Sequence, residues 1–172
     1  MYNYESKLVD SSRMIADILV ADIAGDQDRF DEMFEITLQN SYPLSMRAAR
    51  IIEICVSKHR KFILPHLNKL PEYIEASDVD GVKRSFLKIL SETSLPQDEN
   101  FLGLLTDLAF AYIENNNEAI AVRAFSIDIL LKISKTFPDL KSELIPLLQN
   151  MAEISSKGLE SKCKKILKKI TI

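Results

Sequence analysis

The stretch Asn116–Met151, NNEAIAVRAFSIDILLKISKTFPDLKSELIPLLQNM, decides the fold of this chain. It is predicted to form two helices joined by a short turn, because aliphatic residues recur every three or four positions in each half. Asn117 is placed to cap the first helix, and Pro138 falls near the first turn of the second, where a missing N–H costs little. Each helix carries an apolar face that it cannot bury alone, so the unit needs neighbouring helices.

The chain supplies those neighbours by repeating the unit. A basic residue recurs at intervals of 36, 40 and 39 positions, at Arg47, Lys83, Arg123 and Lys162. A polar residue that can cap a helix precedes each of them by six positions, at Ser41, Ser77, Asn117 and Ser156. A period of 36–40 residues with two helices per repeat is typical of an α-solenoid.

The predicted fold is all-α: a right-handed α-solenoid, or α-α superhelix, of four to five antiparallel helix pairs with about nine helices. It forms a single helical-repeat domain over residues 1–172, with pairs at approximately 1–40, 41–76, 77–116 and 117–155 and a capping helix at 157–172. Only 4 Gly and 6 Pro punctuate the chain, which favours long helices over many strands. The first helix is predicted to run unbroken over 3–24, and Pro65 and Pro71 are expected to bend or shorten a helix at 61–75.

Two segments carry a resemblance to a known family. SMRAARIIEI (45–54) and AVRAFSIDIL (121–130) resemble the second-helix signature of HEAT repeats, in which an apolar residue and Arg are followed by Ala and spaced aliphatic residues. The resemblance covers about residues 26–172 and implies stacked helix pairs. The family usually has Asp in the turn before the Arg, where this chain has Asn or Ser. The armadillo repeat, a related helical unit, stays open as the alternative subclass.

Stacked helix pairs present an extended grooved surface, which indicates a non-enzymatic protein–protein interaction module or scaffold with an unknown protein partner. Candidate partner contacts are solvent-facing residues of the second helices, namely Tyr73, Asp107, Tyr112 and Gln149. No catalytic residue, cofactor or metal ligand is assigned. The basic residue of each repeat would suit an anionic ligand, but the simpler interpretation is structural, because each cation can reach a turn carbonyl or polar side chain of the adjoining repeat.

Two other classes of function remain as alternatives. A nucleic-acid-binding or DNA-base-processing protein is one, because DNA glycosylases built from HEAT-like units exist. That class needs a basic groove and aromatic side chains, whereas this chain has a net charge of −3 and no Trp. The other is an enzyme of unrecognised type with a groove site near Asp107 or His66, since burial of Asp107 in a nearly all-apolar helix would raise its carboxyl pKa.

A metal site is the weakest of the candidate sites. Cys55 and His59 are four residues apart and share a helix face, and His66 lies seven residues further on. A zinc site needs three or four ligands in a fixed shell, and only two are properly placed. Cys55 and Cys163 are therefore predicted to be thiols in the helical core.

Charge is concentrated at the two ends of the sequence. Residues 1–40 hold nine acidic and three basic residues, whereas residues 157–172 hold one acidic residue and six lysines. The Lys-rich last helix is predicted to cap the stack, with binding to an anionic membrane or nucleic acid as the alternative. Opposite charges at the ends allow weak head-to-tail self-association, although solubility explains them more simply. With no secretory signal and no apolar run near the roughly 20 residues of a membrane span, the expected location is cytoplasmic.

Overall fold

A computed structural model describes residues 2–154 and 156–170, and in that part of the chain all regular structure is helical, with ten α-helices and no strand. The predicted all-α class is confirmed. The chain divides into two compact units, residues 1–101 and 102–172. The helices of the first unit are α1 (Tyr4–Lys7), α2 (Arg13–Ile23), α3 (Gln27–Thr37), α4 (Leu44–Lys58), α5 (Leu70–Glu75) and α6 (Asp80–Glu92). Next come α7 (Glu99–Glu114), at the division between the units, then α8 (Ile120–Ile133), α9 (Leu140–Ile154) and α10 (Lys157–Ile170).

The prediction of one unbroken helix over 3–24 is wrong. The chain leaves the helix after Lys7 and resumes at Arg13, because polar side chains between them bind the backbone instead. The Asp10 carboxylate accepts the Ser12 N–H at 2.7 Å, and the Ser12 hydroxyl accepts the Ile15 N–H as an N-cap. A new helix therefore starts at α2.

Two further helix boundaries differ from the predictions. The segment 61–75 begins with 3₁₀ helices at Arg60–Ile63 and Leu67–Lys69 and becomes α-helical only at α5, since Pro65 and Pro71 offer no N–H for an i−4 bond. The cap at Asn117 is also wrong. Asn117 donates its N–H to the Asn115 side chain in a turn, so α8 begins three residues later, with Ala119 at the N-cap position.

Four phenylalanines form the centre of the first unit. Phe30 stacks on Phe62 with 5.4 Å between ring centroids, and Phe34 stacks on Phe86 at the same distance. All four rings are almost fully buried. Helix α4 packs against α2, α3 and α6, so it is surrounded on three sides by helices of the first unit.

The second unit is built on the pairing of its last two helices. Helix α10 packs against α9 and also contacts α8. It buries Leu159, Cys163 and Ile166 on one face and leaves most of its lysines exposed, as the amphipathic pattern of the sequence indicates.

Candidate functional site

A cavity of about 760 Å³ opens in the first unit, with walls formed by α4, α6 and the chain at the start of α2. Its lining contains six basic residues and one carboxylate: Arg13, Arg47, Arg50, Lys58, Arg84, Lys88 and Glu53. We call this cavity the basic groove. It is strongly positive even though the chain as a whole carries a net charge of −3.

Each wall of the groove is a single stripe of one helix. Helix α4 contributes Met46, Arg50, Glu53 and Ser57, which are spaced by three or four residues and therefore share a face. Helix α6 contributes Gly81, Arg84, Ser85 and Lys88 in the same way. The groove is thus a direct product of helical periodicity on two neighbouring helices.

The two walls approach each other closely where α6 begins. A Cβ atom built on Gly81 would overlap the Met46 side chain, so Gly is required for α4 and α6 to come this near. Because Met46 and Gly81 both line the cavity, their contact sets the width of the groove at that end.

Two arginines of α4 are held by backbone carbonyls of the segment before α2. Arg47 donates from Nη1 to the Leu8 carbonyl at 2.8 Å, and Arg50 donates from Nη1 to the Ser11 carbonyl at 2.9 Å. A guanidinium carries five N–H donors, so one such bond fixes the side chain and leaves further donors for a ligand. The Arg47 Nε is buried without a hydrogen-bond partner among the described residues.

Glu53 is the carboxylate at the centre of the groove, and its side chain is only 11% exposed. It accepts hydrogen bonds from Arg84 Nη2 at 2.9 Å, from the Ser85 hydroxyl at 2.9 Å and from Lys88 Nζ at 2.7 Å. A carboxylate this far from solvent needs such partners. Glu53 therefore ties the α6 wall to the α4 wall and brings two cations together.

The end of the groove near α2 is partly neutralised. Arg13 Nε lies 2.9 Å from the Asp17 carboxylate, one turn further along α2, and this hydrogen bond lowers the pKa of the Asp17 carboxyl. Both side chains are exposed, so the pair stabilises the helix only weakly. Lys58, in the last turn of α4, also lines the groove and is exposed.

The four basic residues that recur along the sequence occupy different environments. Arg47 lies in the basic groove, and Lys83 is 3.7 Å from Asp80 on its own helix. Arg123 is 7% exposed and donates to the Ile113 carbonyl and the Asn116 side chain. Lys162 Nζ contacts both Asp128 carboxylate oxygens at 2.7 Å. The last two cations contact polar groups of an adjacent segment of the second unit.

None of the predicted partner contacts is among the described residues that line the groove. Tyr73 is half-buried with its ring edge against Phe34, and it lines a small cavity of about 90 Å³. Tyr112 is also half-buried, whereas Gln149 is exposed. Asp107 is exposed on α7, as are Gly103 and Ala111 one turn to either side. This stripe of α7 faces solvent, which agrees with Asp107 as a solvent-facing residue and removes the burial on which its alternative role as a catalytic carboxylate depended.

The three candidate metal ligands do not converge. Cys55 is buried in α4, and burial raises the pKa of its thiol to about 12, whereas His59 lies exposed at the helix end. His66 has its Nε2 2.7 Å from Asp31 Oδ1, and its ring stacks on Phe34 at 4.1 Å. Within residues 2–154 and 156–170, no group of three or more His, Cys, Asp or Glu side chains is arranged to hold a metal ion.

The residues that matter most in the groove were missed by the sequence analysis. Arg50, Glu53, Arg84 and Lys88 do not recur once per repeat, so an alignment of repeats passes over them. Polar residues spaced by three or four positions within α4 and within α6 are the sequence signal that would have identified both walls of the groove.

Comparisons with known proteins identify the family of the chain and little beyond it. Searches of curated proteins and of solved structures returned no match. None of the described helices has the length and apolar character needed to cross a bilayer. The profile of the HEAT repeat domain matches residues 6–170, nearly the whole chain and more than the sequence resemblance covered. The chain therefore belongs to the HEAT repeat domain family.

Proposed function

We propose that this protein is a non-enzymatic interaction module, a cytoplasmic scaffold or adaptor, that binds an acidic segment of a partner protein in the basic groove. The observation that carries the proposal is the concentration of six basic residues, against the single carboxylate of Glu53, in the lining of one cavity of about 760 Å³. Helical-repeat proteins use such grooves between stacked helices as binding surfaces.

The arginines of the groove suit a carboxylate-bearing ligand. A guanidinium presents two parallel N–H groups to one carboxylate, and its fixed planar shape makes the contact specific. Arg47 and Arg50 are already held by the Leu8 and Ser11 carbonyls, so less side-chain freedom is lost when a ligand binds. Because both walls are helices, the cations keep their spacing.

A nucleic acid fits the groove less well than an acidic peptide. No aromatic side chain is found among the described residues of the groove lining, so bases would have no ring on which to stack. A long polyanion leaving the groove past α2 would also meet the exposed carboxylates of Asp10 and Asp17. A short acidic segment with few charges outside the groove avoids that repulsion.

An enzyme is the weaker alternative. The argument for a catalytic carboxylate at Asp107 depended on its burial, and the side chain is exposed. The carboxylate at the centre of the groove, Glu53, is bound by two cations and a hydroxyl, and neither histidine of the chain lines the cavity. These contacts suit a structural carboxylate better than a general base.

Fluorescence anisotropy with a short labelled peptide of Glu and Ser tests the proposal, with a Gln-for-Glu peptide and a short DNA duplex as comparison ligands. We expect the acidic peptide to bind and the Gln peptide to bind at least about tenfold more weakly. The double variant Arg50→Gln/Lys88→Gln should lose binding. The matched control Lys165→Gln/Lys168→Gln removes the same charge from α10 and should not.

Three results would overturn the proposal. One is the absence of acidic-peptide binding at low salt, and another is an equal loss of affinity in the groove and α10 variants. The third is tighter binding of the DNA duplex than of the peptide through Arg50 and Lys88, which would favour the nucleic-acid alternative.

A further inference from the structure

We propose that the basic groove selects a phosphorylated segment over one that carries only carboxylates, and that Glu53 is the residue that sets this preference. The inference rests on the proposed function, because it names the chemistry of the acidic segment that the groove takes.

Glu53 already occupies the position that a carboxylate ligand would take between the two α6 cations. Arg84 and Lys88 both donate to it, at 2.9 Å and 2.7 Å, and Ser85 adds a third donor. Arg84 and Lys88 are themselves 42% and 31% exposed at the side chain, so a ligand can reach both from solvent. The cations are thus accessible, but they have an internal counter-ion.

An incoming carboxylate competes poorly with that counter-ion. It carries the same single negative charge as Glu53, so it gains no stronger attraction. Glu53 is attached to the protein and loses little freedom in making its contacts, whereas a peptide loses much more when it binds. A peptide carboxylate therefore gains little by approaching Arg84 and Lys88, and it is restricted to the other cations of the groove, such as Arg50.

A phosphoryl group differs from a carboxylate in charge and in geometry. It carries a charge of about −1.5 to −2 at neutral pH and presents three acceptor oxygens. One oxygen can accept from Arg50 while others draw on the exposed donors of Arg84 and Lys88, without Glu53 having to leave. Attraction to the lining cations and repulsion from Glu53 both grow with the charge of the ligand, and because the basic residues outnumber Glu53 the net attraction is larger for a phosphoryl group than for a carboxylate.

The test uses three labelled peptides that differ at one central position, which is phosphoserine, Glu or Ser. Wild-type protein should bind the phosphoserine peptide at least about tenfold more tightly than the Glu peptide. In Glu53→Gln, Arg84 and Lys88 lose their counter-ion, so the protein should bind the Glu peptide more tightly. The ratio of the affinity for the phosphoserine peptide to that for the Glu peptide should then fall severalfold. Glu35→Gln, at an exposed site on α3, changes the net charge equally and should leave the ratio unchanged.

A second variant tests the role of Glu53 even if Glu53→Gln does not fold correctly. Ser85→Ala removes one donor to Glu53 without changing any charge, so it should loosen the carboxylate and lower the ratio in the same direction by a smaller factor. Thermal unfolding and circular dichroism of each variant establish that the helices are intact.

The outcomes separate this inference from the proposed function. If wild-type protein binds the Glu and phosphoserine peptides equally, or if the ratio is unchanged in both Glu53→Gln and Ser85→Ala, the role of Glu53 is wrong while the groove stands. If no peptide binds to wild-type protein or to either variant, the proposed function itself fails.

Discussion

The basic groove between α4 and α6 and the lysine face of α10 are both basic surfaces of the described residues, and they differ in how their cations are held. In the groove, Arg50 is fixed by the Ser11 carbonyl, and Arg84 and Lys88 are fixed by Glu53. On α10 the cations are lysines, most of them exposed, around a depression of about 450 Å³. Lys164 contacts Glu160 one turn away, a surface pair worth little.

The density of charge along a sequence therefore does not show where cations are anchored in the folded protein. Residues 157–172 hold six lysines and one acid, more concentrated than any part of α4 or α6. A flexible lysine must give up its conformational freedom when it binds, whereas an anchored guanidinium has already done so on folding. We therefore expect the groove to bind specifically and α10 to attract anions only weakly.

Reversing one charge in each surface should give the largest contrast. Arg50→Glu places a carboxylate next to Glu53 in the groove, so affinity for the acidic peptide should fall about a hundredfold. Lys165→Glu makes the same charge change on α10 and should lower affinity by no more than a few-fold through long-range repulsion. Titration calorimetry of both variants measures the contrast, and comparable losses would remove the distinction between the two surfaces.

Replacing arginine by lysine separates geometry from charge. The double variant Arg50→Lys/Arg84→Lys keeps every positive charge of the groove but replaces two planar guanidinium groups, so affinity for the phosphoserine peptide should fall about tenfold. The reciprocal variant Lys165→Arg/Lys168→Arg on α10 should create no measurable site, because both positions are exposed and the new side chains would stay flexible. Unchanged affinity in the first variant would mean that charge alone governs binding.

Glycine substitutions compare the packing of the two regions. Gly81→Ala forces the Met46 side chain aside, so the free energy of unfolding should fall by about 1 to 3 kcal/mol and the peptide affinity should fall with it. Gly158→Ala meets open space in α10 and should change stability by at most about 1 kcal/mol, in the stabilising direction. Chemical denaturation measures both, and a neutral Gly81→Ala would show that the Met46 contact does not set the groove width.

Self-association should show the smallest effect. The acidic residues near the N-terminus already have local partners, as Asp22 contacts Tyr4 and Arg29 and Asp31 contacts His66. Residues 1–40 keep a net negative charge, but exposed charges gain little across a solvated contact, so their attraction for the lysines of α10 in a second copy should be weak. We expect a monomeric mass by sedimentation at both low and high salt, and a dimer at low salt that dissociates at high salt would restore the head-to-tail proposal.

The fold was predictable from sequence to the level of helices and family. Apolar spacing identifies α3, α4, α6 and α10 because each helix buries one face, and the recurring basic positions reveal the repeat. The errors fall where a few side chains override the pattern. Asp10 and Ser12 interrupt the first helix, Pro65 and Pro71 turn part of another into 3₁₀ structure, and Asn115 delays α8.

Only part of the groove could be predicted from the sequence. The stripe containing Arg50 and Glu53 on α4 can be read from spacing alone, as can the stripe containing Arg84 and Lys88 on α6. Residue spacing within each helix does not show that the two stripes face each other. Glu53 and Arg84 are 31 residues apart, and the packing of α4 on α6 brings them into contact.

The all-α class and the repeat could be predicted from the sequence, because helix formation and repeat period depend on interactions between near neighbours that a linear pattern records. Which charges act together depends on how the helices pack. Arg50 contacts the Ser11 carbonyl, and Arg84 and Lys88 contact Glu53, because helix packing brings together residues that are about thirty to forty positions apart in the sequence. The lysines of α10, adjacent in sequence, stay dispersed around the exposed face of one helix. Packing therefore distinguishes a groove whose cations are anchored from a surface whose charges are only exposed.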